Sequence, residues 1–408
     1  MNLEVHIDWQ GKTEHVGMLY SASRGTSVSF QYATTWLENP SAFAIDPTSL
    51  PLRSGMQHAA ALFGAIQDCG PDRWGKLLIE RAVRKKVLET KPYQEIDYVL
   101  ALDDHSRIGA LRFRVEGTSP FLAATEGAIP PLVRLNTLLH ATDAIHSEKE
   151  TVADLRYLLG QGSPLGGARP KSSILLPDGR LAIAKFPKPD DVRDIEAGEI
   201  LALTLAKKAG IQVAEHQLVT VFQKTVAVIS RFDRENHMRI PFLSASTLLG
   251  LPAGDTGAYT VLADGIRQFG DDVTGDLKEL WRRMVFSLLA SNYDDHMRNH
   301  GFLMKSPGRW ALSPAYDLNP VPEMDRVHMP KTSISEDGQE PNIEEALRVA
   351  SRFGLKATEA KKLLKEIYDA VSIWREVGRQ LHLSAATLDA YESAFNHPLM
   401  NEARRLVE

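Results

Sequence analysis

Asp294 and Asn299 stand five residues apart in Ser291-Asn292-Tyr293-Asp294-Asp295-His296-Met297-Arg298-Asn299. That spacing suits phosphoryl transfer, in which a carboxylate takes the proton of an attacking hydroxyl and an amide oxygen holds magnesium. Asp317, in Pro314-Ala315-Tyr316-Asp317-Leu318-Asn319-Pro320, follows two short apolar runs and stands where a second magnesium carboxylate belongs. Lys185 lies in the otherwise apolar run Leu181-Ala182-Ile183-Ala184-Lys185-Phe186, where it could point at a phosphate. Glu196 or Glu199, on the next helix, could orient it through an ion pair. Upstream, Ser163-Pro164-Leu165-Gly166-Gly167-Ala168-Arg169-Pro170-Lys171 offers adjacent glycines whose N–H groups can approach an anion closely. It is not a Walker A loop, because Pro170 replaces the glycine before the lysine.

Each piece also has a plainer reading. A Gly-rich turn by itself is more often a simple loop, and a strand lysine more often faces solvent. A polar loop with two acids is commonly a solvated turn. The set as a whole, Asp-x4-Asn, two strands, then Tyr-Asp, is hard to obtain by accident. A zinc site competes, since His296 and His300 have H-x3-H spacing beside Asp294 and Asp295. A zinc protease needs Glu after the first His, and Met297 is there. His296 is therefore expected to support the loop through a hydrogen bond.

The elements that must position these residues are partly visible. Leu3–Ile7 and Ser27–Phe30 alternate as half-buried strands, parted by Gly11 and Gly25 turns. Ala60, Leu62, Phe63 and Ile66, then Trp74, Leu77 and Leu78, indicate short helices around Gly70-Pro71-Asp72, and Thr151–Leu159 another. Ser172–Leu176 and Leu181–Phe186 flank the turn signal Pro177-Asp178-Gly179 and read as a hairpin. Ile195–Ala209 reads as a helix capped by Gly210, and Leu218–Val221 and Thr225–Ile229 as strands. Asp276–Ser291 is an amphipathic helix, and Gly301–Met304 and Trp310–Leu312 are short strands. The polar stretch Glu323–Asn342 reads as a mobile loop, and Thr358–Val377 as one of the closing helices.

The chain has 408 residues, 43% hydrophobic and 24% charged, which is ordinary globular composition with room for two or three lobes. Its net charge of −5 does not advertise bulk nucleic-acid binding. Cys69 is the single cysteine, so an internal disulfide and a Cys-based zinc site are excluded. The first residues lack the basic-then-apolar pattern of a signal peptide, and no stretch reaches the roughly 18 apolar residues of a membrane span. A cytoplasmic protein without membrane association is expected.

With these residues in view, the chain resembles the HipA-type serine/threonine kinases, the toxin half of bacterial HipA–HipB toxin–antitoxin pairs. The likeness runs over nearly the whole length. Leu62-Phe63-Gly64 through Asp68 and Pro71-Asp72-Arg73-Trp74-Gly75-Lys76 are similar to the family's N-terminal signature. Gly166-Gly167-Ala168-Arg169-Pro170-Lys171 resembles its phosphate loop, and Ala184-Lys185-Phe186-Pro187 the strand with its ATP-contacting lysine. Ile229-Ser230-Arg231-Phe232-Asp233-Arg234 resembles the segment joining the lobes, and Asn292–Asn299 and Tyr316-Asp317 match the family's N-x-D-x-H-x-x-N and Tyr-Asp motifs.

The resemblance implies an α/β, protein-kinase-related two-lobed fold, with a mixed α/β N-terminal half and a mainly helical C-terminal lobe. Residues 1–125 would be a β-rich N-terminal subdomain, 126–235 the kinase N-lobe, and 236–408 the helical C-lobe. Asp294 would be the catalytic base, Asn299 and Asp317 the Mg2+ ligands, and Lys185 the contact to ATP phosphates, with Glu199 as its partner. Gly166, Gly167, Ala168 and Lys171 would cradle phosphates, and Ser230, Arg231, Phe232 and Asp233 would face the adenine. A HipB-like antitoxin, DNA reached only through it, and a cytosolic protein target, an aminoacyl-tRNA synthetase by family precedent, are the implied partners. Growth arrest is the implied outcome. The family's autophosphorylated loop serine falls on Pro164 here, so either Ser163 serves with a one-residue shift or the switch is missing. Two other readings stay open: a small-molecule kinase on the same site, and a co-repressor acting by binding a DNA-binding antitoxin.

Overall fold

The computed structural model describes residues 2–22, 26–123, 129, 132–159, 168–252, 254, 256–338 and 340–408. Gly25, Ser163, Pro164, Gly166 and Gly167, named above, lie outside the described residues. The chain begins with a five-stranded antiparallel sheet of β1 (Asn2–Trp9), β2 (Lys12–Ser21), β3 (Val28–Tyr32), β4 (Met56–Ala59) and β5 (Leu111–Val115), in the order β4-β3-β2-β1-β5. Leu3, Val5 and Ile7 alternate into its core. Gln10 and Gly11 both take positive φ, the left-handed pair that a two-residue hairpin between right-twisted strands demands.

A second antiparallel sheet carries the chemistry. It consists of β6 (Lys171–Leu175), β7 (Leu181–Lys185), β8 (His216–Val221) and β9 (Lys224–Ser230), in the order β6-β7-β9-β8. Its two faces bury alternate residues. Ala182, Ala184, Val226 and Val228 join Trp74, Leu138 and Leu155 from the helices Arg73–Arg84, Leu135–His146 and Val152–Leu159. Ala227 and Ile229 join the main core with Leu201 and Leu205 of the helix Ile195–Lys208, whose Asp194 side chain caps it by accepting from Ala197 N.

The remainder is mostly helical. The helix Val273–Leu289 buries Leu277, Leu280, Trp281, Met284, Val285 and Leu288, and the helices Ala357–Ser372 and Pro398–Val407 pack on it. The strands Gly301–Ser306 and Arg309–Leu312 follow the loop that holds Asp294 and form a small sheet with Phe242–Ser244 from upstream. The mixed α/β class with a helical C-terminal part is therefore the one observed. No helix among the described residues is long and apolar enough to cross a membrane.

Two expectations are corrected. Glu323–Asn342 is not a free loop. Thr332 and Ser333 pair in parallel with Gly257 and Ala258, and Thr332, Ile334 and Ser335 are buried. The stretch read as one helix over Thr358–Val377 is two, Ala357–Ser372 and Trp374–Gln380, with Trp374 stacked on Phe395.

Candidate active site

Lys185 ends β7, and its ammonium is the centre of a buried charge network. Nζ donates to Glu199 Oε1 at 2.6 Å and to Asp317 Oδ1 at 2.9 Å. Of the two glutamates considered, Glu199 is the partner; Glu196 takes Arg169 instead. Burial alone would lower the Lys185 pKa, but Asp317 and Glu199 hold it above its ordinary value. Burial raises Glu199, with Lys185 opposing. For Asp317, burial works upward, yet Lys185 and then Lys171 override it and bring the carboxyl down to about 2. Asp317 is thus the firmly anionic member. Its φ of +57° is left-handed, unusual for a non-glycine residue. Asn319 helps hold that turn, Nδ2 donating to Asp317 O at 3.2 Å and Oδ1 at 3.1 Å.

The loop after the helix Val273–Leu289 meets this turn through paired contacts. Asn292 Oδ1 accepts from Asn319 N at 3.1 Å, and Tyr316 Oη donates to Arg298 O at 2.8 Å. Asn299 Nδ2 donates to Asp294 O at 3.3 Å. The Asp294 carboxylate turns outward and is ion-paired with Lys331 Nζ. Asp295 turns inward. It accepts from Tyr259 Oη, lies 3.3 Å from His300 Nε2, and its carbonyl accepts from Thr332 Oγ1 at 2.6 Å. Burial would raise Asp295; His300 and Tyr259 keep it below the usual carboxylate range.

The donors present suit magnesium. Asn299 Oδ1 is buried without a hydrogen-bond partner. Both side-chain bonds to Asp317 go to Oδ1, leaving Oδ2. Two hard oxygens of this kind fit a magnesium ion. Beside this network, Ile183, Lys185, Ile229, Ser230, Phe232, Tyr316 and Asp317 line a narrow cleft of about 20 Å³. The Phe232 and Tyr316 rings lie 5.3 Å apart on one wall.

Some expected residues do other work. Arg231 and Asp233 do not line this cleft. Arg231 donates to Asp233 and to Ser106 O and Arg107 O, and Asp233 Oδ2 also accepts from Gly109 N at 2.8 Å. They tie the segment after β9 to the loop before β5. Lys171 is buried in an ion pair with Asp72, the N-cap residue of the helix Arg73–Arg84, and pairs across the strands with Lys185. Ala168 is exposed. The His296 side chain does not brace the loop: Nδ1 is buried without a partner, while its carbonyl accepts from Asn299 N at 2.7 Å. Asp295 and Asn292 supply the bracing, and sequence reasoning missed both, as well as Asp72 and Lys331. The signal available for Asp295 was its place beside Asp294.

His296 and His300 join no metal-type cluster among the described residues; the group that comes together is Glu4, His6 and His15 on the first sheet. Glu4 there already accepts from Arg114 Nε at 2.5 Å and Gly117 N at 3.0 Å.

Residues 163–374 match the HipA-like C-terminal domain, and residues 7–114 match the HipA N-terminal domain. The chain belongs to the HipA family. A provisionally named kinase of Haemophilus influenzae is 26% identical over 189 residues, 40% of this chain and 55% of that protein. Another, from Sinorhizobium fredii, is 29% identical over 152 residues, 33% of this chain and 36% of that one. The chain therefore spans about half the length of the first of these relatives and about a third of the second. The HipA chain of the Shewanella oneidensis complex of HipA, HipB and operator DNA superposes with a TM-score of 0.70. At 16% identity, over 99% of this chain and 97% of that one, it shares the fold.

Proposed function

We propose that this chain is an ATP-dependent serine/threonine protein kinase that acts as a HipA-type toxin. The observation that carries this reading is the Lys185–Glu199–Asp317 network, whose turn is tied to the loop carrying Asp294 and Asn299 by the Asn319–Asn292 and Tyr316–Arg298 hydrogen bonds. Lys185 meets the ATP phosphates, and backbone groups at Ser230 and Phe232 meet the adenine. Asn299 Oδ1 and Asp317 Oδ2 would hold magnesium, which supplies charge neutralisation on the phosphates. Asp294 accepts the proton of the attacking serine or threonine hydroxyl. Catalysis then rests on positioning and preorganised charge, with no covalent enzyme intermediate.

The Asp294 side chain is 56% exposed, on an open edge and not inside a closed pocket. That favours a protein acceptor over a metabolite. The Shewanella complex contains HipB and operator DNA, which supports a HipB-like antitoxin as partner here, with DNA reached through it. An aminoacyl-tRNA synthetase in the cytoplasm is the proposed class of target, and growth arrest the consequence. Labelled ATP and magnesium, added with wild type or Asp294→Asn to cell lysate, test this. A serine or threonine phosphosite that mass spectrometry finds only with wild type is expected. Transfer by Asp294→Asn at the wild-type rate overturns it.

A further inference from the structure

The segment after Asp317 returns to the catalytic loop and grips its backbone. Val321 N donates to Ser291 O and Lys331 N to Tyr293 O, each at 3.0 Å. Thr332 Oγ1 donates to Asp295 O, and Thr332 is itself fixed by pairing with Gly257. Alternate carbonyls of the loop are thus occupied, on both sides of Asp294. The Cα positions of Asp294 and Lys331 are held by hydrogen bonds at their neighbours. Lys331 Nζ then closes on Asp294 Oδ1.

We infer that Lys331 is a positioning residue for Asp294, an inference that rests on the kinase reading above. An ammonium on Oδ1 fixes the rotation of the carboxylate and leaves Oδ2 for the acceptor hydroxyl. An exposed ion pair contributes little to stability, so its worth lies in orientation. Orientation is where a small displacement is felt strongly in rate.

The test uses the full chain and its labelled acceptor, with Lys331→Met, Lys331→Arg, Asp294→Asn and the double variant Lys331→Met/Asp294→Asn. Lys331→Met is expected to lower kcat about tenfold, with KM for ATP and the melting temperature unchanged. Lys331→Arg restores most of the rate. In the Asp294→Asn background, Lys331→Met costs nothing further, because the group it positions is gone. A wild-type kcat for Lys331→Met overturns the inference. So does a tenfold loss that persists in the Asp294→Asn background, or one that comes with a lowered melting temperature. Inactive wild type, by contrast, overturns the kinase reading itself.

Discussion

Lys185, Glu199 and Asp317 expose only 10%, 3% and 18% of their side chains, whereas Lys331 and Asp294 expose 48% and 56%. Both sets are ion pairs, yet they are held by opposite means. On the nucleotide side, low dielectric strengthens each contact, and the charges fix one another. On the acceptor side, water weakens the pair, and the fixing is done by backbone bonds at Tyr293 and Asp295. On the function proposed above, the first arrangement is built before ATP arrives. The second leaves room for something large to approach Asp294.

That contrast can be broken by substitution. The largest expected effect is on rate: Asp294→Asn should lower transfer about 10²- to 10⁴-fold, the usual worth of a general base. Its melting curve should stay within about 0.5 kcal/mol of wild type, as for other exposed positions. A marked loss of stability would erase the distinction between the two sides. Lys185→Met should abolish transfer and also lower stability by about 3 kcal/mol in a urea titration, because two carboxylates then share a buried site without their cation. Equal stability of Lys185→Met and Asp294→Asn would contradict the contrast from the other direction.

A smaller effect lies in pH. The Asp317 carboxyl is depressed from 3.8 to about 2, so its contribution is complete above about pH 4 and is lost as pH falls through 2. Asp317→Asn should flatten that part of the stability profile, read by melting between pH 5 and 2.

The sequence displayed the polar residues better than the scaffold that aims them. Lys185 and Asp317 announced themselves because a charge in an apolar run and an acid after two strands are both anomalous locally. Helix placement after the strand narrowed the Lys185 partner to Glu196 or Glu199, and the structure selects Glu199. Bracing by Asp295, Asn292 and Lys331 was hidden, because its partners Tyr259, Asn319, Thr332 and Asp294 are set by tertiary packing. Arg231 and Asp233 were misjudged for the same reason, since nothing local reveals that their partners are Ser106, Arg107 and Gly109. Strands β2, β4 and β5 and the helix Leu135–His146 were missed. In β2, Lys12-Thr13-Glu14-His15 is polar and shows little alternation until Val16. The anchored segment around Thr332 looked mobile because its polar composition says nothing of the two-residue pairing that fixes it.

Magnesium-dependent ATP affinity, measured by titration calorimetry on wild type, Asp294→Asn and Asp317→Asn, separates the two sides most directly. Asp294→Asn should bind ATP as wild type does while failing to transfer its phosphate, and Asp317→Asn should lose the magnesium-dependent part of the affinity. Loss of ATP binding in Asp294→Asn, or wild-type magnesium-dependent binding in Asp317→Asn, would contradict the division of the cleft into a nucleotide side and an acceptor side.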